Sequence, residues 1–324
     1  MEERQARIEA AGALSSDAPA IQWYPGHIAK AEKALAENLA KVDLVIEVRD
    51  ARIPLATGHP RLRRWIGSKP HLLVLNRRDM ISAAARLAWD GWFRERGQTP
   101  WWCDAKAGTG VKQLQQAAIR AGEALNSRRT SRGMKPRPVR ALMLGFPNVG
   151  KSALINRLVR QKVVESARKA GVTRSLRWVR LGQDLDLLDA PGVLPPRLDD
   201  QQAALRLALC DDIGKAAYDT EAVALAFVRL LAALEPLPAA AVAPGLLEKR
   251  YGVPLTAMPG DTGQRDTQTP DATPGNLHRP DAEAWLLAAA SRHTSGDGLR
   301  MAQRLLDDFR RSLLGPISLE LPDH

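Results

Sequence analysis

Short apolar runs recur along the first two thirds of the chain, and several stop at a polar residue. Leu44 to Val48 run on to Asp50, and Leu72 to Leu75 end at Asn76. Trp101, Trp102 and Cys103 follow a loop, Val139 to Leu144 enter a glycine-rich turn, and 176–181 and 185–188 flank Gly182 and Gln183. Runs of this length predict strands buried on both faces. Helices are predicted between them over 28–41 (Ile28, Ala31, Leu35 and Leu39 on one stripe), 60–67, 82–96, 110–126 and 151–160. Strands alternating with helices predict an α/β fold, a mainly parallel sheet with helices on both faces.

The pattern changes at Pro195 and Pro196. Residues 199–250 are rich in Ala and Leu and read as helical, and 281–312 return to helix with Trp285, Leu286, Leu299, Leu305, Leu306 and Phe309 expected in the core. Between them, 256–280 hold four prolines among Thr, Asp and Gly, the composition of a flexible insertion. The expected organisation is a loose tail over 1–20, an α/β domain over 21–196 and an all-helical C-terminal domain over 197–324. Residues 127–138 interrupt the α/β part as a polar, basic linker.

Composition adds a direction. Lys and Arg number 47 against 36 Asp and Glu, a net charge of +11, which favours a polyanionic partner. Two cysteines, Cys103 and Cys210, lie far apart without metal-ligand spacing, which argues against a disulfide framework or zinc site and suits a reducing compartment. The N-terminal stretch lacks a signal-peptide core, and the most apolar stretch, 222–244, carries Arg229, Glu235 and three prolines, a poor membrane span. A cytoplasmic protein, monomeric and without a membrane partner, is expected.

The sharpest motif is Gly145 to Ser152, GFPNVGKS, a full match to G-x-x-x-x-G-K-[ST] between a strand and a helix. Glycines let the backbone wrap a phosphate, and successive N–H groups at a helix N-terminus point at it; Asn148, Val149, Gly150 and Ala153 belong to this wall. Lys151 supplies a charge to the outer phosphates and the Ser152 hydroxyl can ligate Mg²⁺. Asp189, opening Asp-Ala-Pro-Gly192 at a strand end, can hold Mg²⁺ through water, with the Gly192 N–H sensing a γ-phosphate. Thr173, in the intervening loop, can complete the magnesium shell. Each of these shorter motifs is also a common structural turn.

Asn76-Arg77-Arg78-Asp79 resembles the Asn-Lys-x-Asp motif of GTPases, in which the aspartate accepts two hydrogen bonds from guanine. Arg77 stands where lysine is usual, and a guanidinium can also stack on a purine. Cys103-Asp104-Ala105-Lys106 resembles the Ser-Ala-Lys loop whose alanine N–H reaches guanine O6, with Asp104 in place of serine. The guanine motifs precede the phosphate motif, the reverse of the usual order. A circular permutation joining the old ends through 127–138 accounts for that.

With Ile21 to His27, Asp50 to Pro54, Gly171 to Ser175 and Asp307 to Arg310, these motifs resemble the circularly permuted GTPases, nearest the ribosome biogenesis GTPase A (YlqF/RbgA) family. The likeness covers 21–250 and 281–321. It implies a permuted P-loop GTPase domain, GTP hydrolysis coupled to late maturation of the large ribosomal subunit, and a helical C-terminal domain that contacts RNA. Val193 follows Asp-x-x-Gly where many GTPases place a water-orienting glutamine, and the resemblance points instead to His27 as the catalytic group. Asn148 resembles the asparagine of potassium-activated GTPases. Arg128, Arg129, Arg132, Lys135 and Arg137 of the linker, with Arg300, Arg304, Arg310 and Arg311, are expected phosphate contacts. An alternative reading is a guanine-nucleotide-dependent module acting on another RNA, with hydrolysis incidental. An ATP-dependent enzyme is disfavoured by Asp79.

Overall fold

The computed structural model describes residue 21 and residues 37–159, 177–190, 200–237, 241–255 and 281–322. Six strands form one sheet: β1 (Leu44–Asp50), β2 (His71–Asn76), β3 (Pro100–Trp102), β4 (Val139–Gly145), β5 (Arg177–Leu181) and β6 (Leu185–Asp189), in the order β3-β2-β1-β4-β6-β5. Every neighbouring pair is parallel except the β5–β6 hairpin, which places β5 antiparallel at one edge. The α/β architecture predicted from the apolar runs is therefore present; β1, β2 and β6 end at the polar residues Asp50, Asn76 and Asp189, and β4 at Gly145, where the glycine-rich turn begins.

Alternation within the strands sorts side chains to two faces. Leu44, Ile46, Val48, Ala141, Met143, Leu185 and Leu187 face one side. They pack with α3 (Val111–Ala121) and α5 (Lys151–Val159) through Leu114, Ala118, Leu154 and Ile155. Val45, Leu142, Leu144 and Leu188 face the other side with α1 (Leu62–Ile66). There Leu73 and Leu75 meet Trp89 and Phe93 of α2 (Ala83–Glu95).

The helix predicted over 110–126 breaks at Gly122, where a Cβ would lie against Val139 Cγ2 at 1.9 Å. A second helix, α4 (Glu123–Thr130), then covers the first part of the expected linker, leaving 131–138 irregular. Nothing between Ser127 and Thr130 breaks a helix, and the turn at Gly133 (φ 73°) ends it.

The C-terminal region is helical: α6 (Gln201–Leu209), α7 (Thr220–Leu234), α8 (Leu246–Tyr251), α9 (Ala282–His293) and α10 (Gly298–Arg310). Asp200, Asp219, Asp281 and Asp297 cap α6, α7, α9 and α10 through side-chain bonds to backbone N–H groups. Of the residues expected in its core, Trp285, Leu286, Leu305, Leu306 and Phe309 are buried, whereas Leu299 is 48% exposed. The buried stripe of α10 begins at Met301, and Leu299 lies in the first turn before it.

The chain then returns to the α/β part. Leu319 N donates to Arg52 O at 3.0 Å, Ile317 N to Met80 O at 2.9 Å, and Leu55 N and Ala56 N donate to Glu320 at 2.7 and 3.0 Å. The expected insertion over 256–280 and the Pro195-Pro196 connector lie outside the described residues.

Candidate nucleotide site

The phosphate motif forms the turn between β4 and α5. Its glycines are needed for approach: a Cβ on Gly145 would stand 2.2 Å from Val48 O, and one on Gly150 (φ +98°) 2.2 Å from Asn76 Nδ2. Lys151 is buried, and its ammonium donates to Gly145 O at 3.1 Å and Phe146 O at 2.7 Å. Burial pushes the amine down to about 8, against the opposing pull of Asp189 and Asp212. Neutral carbonyls alone do not balance that charge, so an arriving phosphate would stabilise it.

Asp189 closes β6 across from the cradle. The Ser152 Oγ donates to Asp189 Oδ2 at 3.5 Å, and buried Asp189 Oδ1 has no hydrogen-bond partner among the described residues. Burial raises the Asp189 pKa, with Lys151 and Ser152 opposing. A hydroxyl beside an unsatisfied carboxylate oxygen is the hard-oxygen donor set that a hydrated magnesium ion prefers.

The guanine motif is clamped to this cradle. Buried Asn76 donates from Nδ2 to Val149 O at 2.9 Å and accepts at Oδ1 from Ala105 N at 3.2 Å, holding the cradle and the second guanine loop on one side chain. Asp79 follows in a single 3₁₀ turn, Arg78–Met80, and is exposed. Partial burial of its carboxyl, then the charge of Asp104, raises its pKa. Arg78 contributes its backbone, donating from N to Cys103 O at 3.1 Å.

Asp104 is a loop organiser: its Oδ1 accepts from Lys106 N at 2.7 Å and Ala107 N at 3.0 Å, which is what a serine hydroxyl could do singly. The Ala105 N–H, expected to reach a guanine oxygen, is engaged by Asn76 and would have to be shared or exchanged.

Arg77 departs from its expected role. In a left-handed conformation (φ 64°) it sends Nη1 to Asp50 Oδ2 and Nη2 to Asn148 O, both at 2.6 Å. With the guanidinium held by these acceptors, the aliphatic stem rather than the charged plane is left for a base.

Behind this contact lies a junction that sequence reasoning missed. Asp50 also binds Arg52, through Nε at 3.0 Å and Nη2 at 2.7 Å, and Arg52 Nη2 reaches Cys210 O at 3.2 Å. Asn148 Nδ2 donates to Asp211 O at 2.7 Å, so the cradle is bonded directly to the turn that ends α6. Asp212, in that turn, is fully buried; neither of its oxygens has a hydrogen-bond partner among the described residues, and Arg77 Nη1 is 3.8 Å away. Burial and then the charge of Asp50 push Asp212 up to about 8, while Arg52 and Arg77 outweigh burial to hold Asp50 at about 2.

Arg310 completes the junction, donating to Ala208 O, Leu209 O and the Tyr218 hydroxyl at 2.8–3.0 Å. Its side chain is 6% exposed, which removes it from the expected RNA contacts. Arg137 is also spoken for, paired with both oxygens of Asp43 at 2.7 and 2.8 Å.

His27, Thr173 and Gly192 lie outside the described residues. Among the residues that are described, no helix is long and apolar enough to cross a membrane.

A family model described as 50S ribosome-binding GTPase matches residues 140–228. Ribosome biogenesis GTPase A of Bacillus cereus is 37% identical over 211 residues, 65% of this chain and 71% of that protein. Its namesake in Bacillus pumilus is 34% identical over 244 residues, 75% and 83% of the two chains. Mitochondrial ribosome-associated GTPase 1 of Mus musculus is 35% identical over 201 residues, 59% and 61%. The GNP-bound YlqF structure from T. maritima superposes with a TM-score of 0.56 over 91% of this chain and 99% of that one; at 19% identity it speaks for the shared, permuted fold alone. The chain belongs to the ribosome biogenesis GTPase A family of GTP hydrolases.

Proposed function

We propose that this GTPase acts in the cytoplasm as a monomeric switch in late assembly of the large ribosomal subunit, binding its precursor in the GTP state and leaving after hydrolysis. One observation carries the switch reading: the cradle and the helical region share a direct bond, Asn148 Nδ2 to Asp211 O at 2.7 Å. A change at the phosphates therefore has a short path to the surface that would grip a particle. The names of the bacterial and mitochondrial relatives supply the ribosomal context.

In this reading Gly150, Lys151, Ser152 and Ala153 cradle the β- and γ-phosphates with Asn148 and Val149. Asp79 reads guanine, and the Arg77 stem, Arg78, Asp104, Ala105 and Lys106 shape its pocket. Ser152, Thr173 and, through water, Asp189 would hold Mg²⁺, whose charge would offset that building on the phosphates. The Asn148 amide, whose NH₂ is taken by Asp211, keeps its oxygen for a potassium ion. Gly192 senses the γ-phosphate, and His27 orients the attacking water.

The test is sedimentation of the full chain with large-subunit precursors. Tighter association with a non-hydrolysable GTP analogue than with GDP is expected, and His27→Ala should keep that association while losing particle-stimulated hydrolysis. Equal association in both nucleotide states would contradict the switch and favour hydrolysis incidental to RNA binding.

A further inference from the structure

The edge strand β5, beside β6, carries an exposed aromatic that has no place among the residues of the nucleotide site. Trp178, on the edge strand β5, is 44% exposed, and the other large hydrophobic side chains comparably open among the described residues are leucines and one methionine. A tryptophan left open to water forgoes a large burial gain, so its exposure points to something that covers it.

Its neighbours are cationic. Trp178 pairs in register with Leu188 of β6, and the next row across the same face joins Arg140 of β4, Asp186 of β6 and Arg180 of β5. The Arg140 guanidinium lies 5.7 Å from the indole centroid, and both Arg140 and Arg180 are exposed. Asp186 balances part of this charge through a 3.4 Å contact to Arg180. The basic linker arrives at the same hairpin: Val139 N donates to Asp184 O at 2.8 Å, so 131–138 run into the β5–β6 turn, close to the strand that carries Arg180. Arg132 and Lys135 in that stretch are exposed.

An indole among arginines, continuous with a basic strand of chain, matches the way unpaired nucleic acid is held. Arginines track phosphates, and a base stacks on the ring whatever its identity. A base-paired helix keeps its bases stacked inside and has no free face to offer the indole.

We propose that Trp178, Arg140 and Arg180 form a stacking platform for an unpaired RNA base, with the linker following the adjoining phosphates. This rests on the reading of the chain as a factor that contacts ribosomal RNA, and it adds which form of RNA is taken and where. None of the three side chains belongs to the proposed GTP site, and Trp178 lies one register row from Asp189, so the GTP affinity of each variant is measured beside its RNA binding.

The test uses the full chain, a fluorescently labelled uridine dodecamer and a duplex RNA of equal length, with affinities read by anisotropy over a salt series. Trp178→Ala should weaken dodecamer binding about tenfold, Trp178→Phe should restore most of it, and duplex binding should change less than about twofold. Arg140→Gln and Arg180→Gln should each lower the slope of log affinity against log salt by about 0.7, whereas Trp178→Ala should leave the slope unchanged.

GTP affinity, measured in parallel, confirms that each variant is folded. Dodecamer binding by Trp178→Ala equal to wild type overturns the platform. So does an equal loss on duplex and single strand. Either of these can occur while GTP-dependent association with precursor particles persists, so failure of the platform and failure of the switch are told apart.

Discussion

Around the phosphates, the residues that matter are neighbours in the chain: Gly145 to Ser152 make one turn between a strand and a helix. At the junction behind Arg77 they are scattered, Asp50 and Arg52 after β1, Arg77 after β2, Asn148 in the cradle, Asp211 and Asp212 after α6, and Arg310 in α10. The cradle is built from backbone geometry and, in the proposed function, is completed by a nucleotide. The junction is built from buried charges that complete one another, with Asp212 as the exception. A site of the first kind tolerates little change in shape and contributes little to holding the fold. A site of the second kind holds the fold and is vulnerable to any change in charge count.

Four substitutions test that contrast. The largest effect is expected at Asp50, fully buried between two arginines. Asp50→Ala strands both cations and should lower unfolding stability by about 3–5 kcal/mol, read by urea denaturation. Next is Gly150→Ala, whose Cβ would fall 2.2 Å from Asn76 Nδ2. It should weaken GTP binding by about 2–3 kcal/mol and lower unfolding stability by about 1–3 kcal/mol, less than Asp50→Ala, because Asn76 and the cradle must shift with or without a ligand. A stability loss as large as that of Asp50→Ala would erase the distinction.

Arg77→Lys, a change toward the residue usual in this motif, keeps the charge but has one nitrogen for two acceptors, Asp50 Oδ2 and Asn148 O. It should cost about 1.5–3 kcal/mol of stability and leave the preference for GTP over ATP intact. Unchanged stability would show that the fork is not used.

The smallest effect is a change of slope. Asp212 has its pKa raised to about 8 in the folded chain, mainly by burial. The folded state therefore holds a proton that the unfolded state has released, and stability falls as pH rises from the ordinary aspartate range near 4 towards 8. Asp212→Asn removes this titration and should flatten that fall, measured as urea midpoints across the interval. A parallel pH profile in the variant would assign the slope to other groups.

The same contrast decides what could be read from the sequence. Leu44 to Asp50, Leu72 to Asn76 and Val139 to Gly145 are strands because buried parallel strands need continuous apolar runs, a local signal. The cradle was legible for a similar reason, since its glycines, lysine and serine sit at fixed spacing. Leu299 was misplaced because periodicity marks the stripe without saying where a neighbouring helix begins to cover it. Arg310 read as a surface cation because its acceptors, the carbonyls of Ala208 and Leu209, are about a hundred residues away and backbone carbonyls carry no sequence signature. Asp212, and Glu320 bonded to the backbone of Leu55 and Ala56, were invisible for the same reason. Arg77 was recognised by its motif, but its fork could be assigned only with Asp50 and Asn148 both in place.

Central to the proposed function is one guanine-specific site formed by the permuted motifs, with Asp79 as the reader. Equilibrium binding of GTP and of xanthosine triphosphate to wild type and Asp79→Asn tests this directly. In the proposed site the carboxylate would accept from the two guanine donors, whereas an amide would present a donor that suits the xanthine carbonyl. Wild type should prefer GTP, and Asp79→Asn should lose about 1.5–3 kcal/mol of GTP affinity while gaining affinity for the xanthine nucleotide. Undiminished GTP binding by the variant, with no gain for xanthosine triphosphate, would place the guanine contact elsewhere.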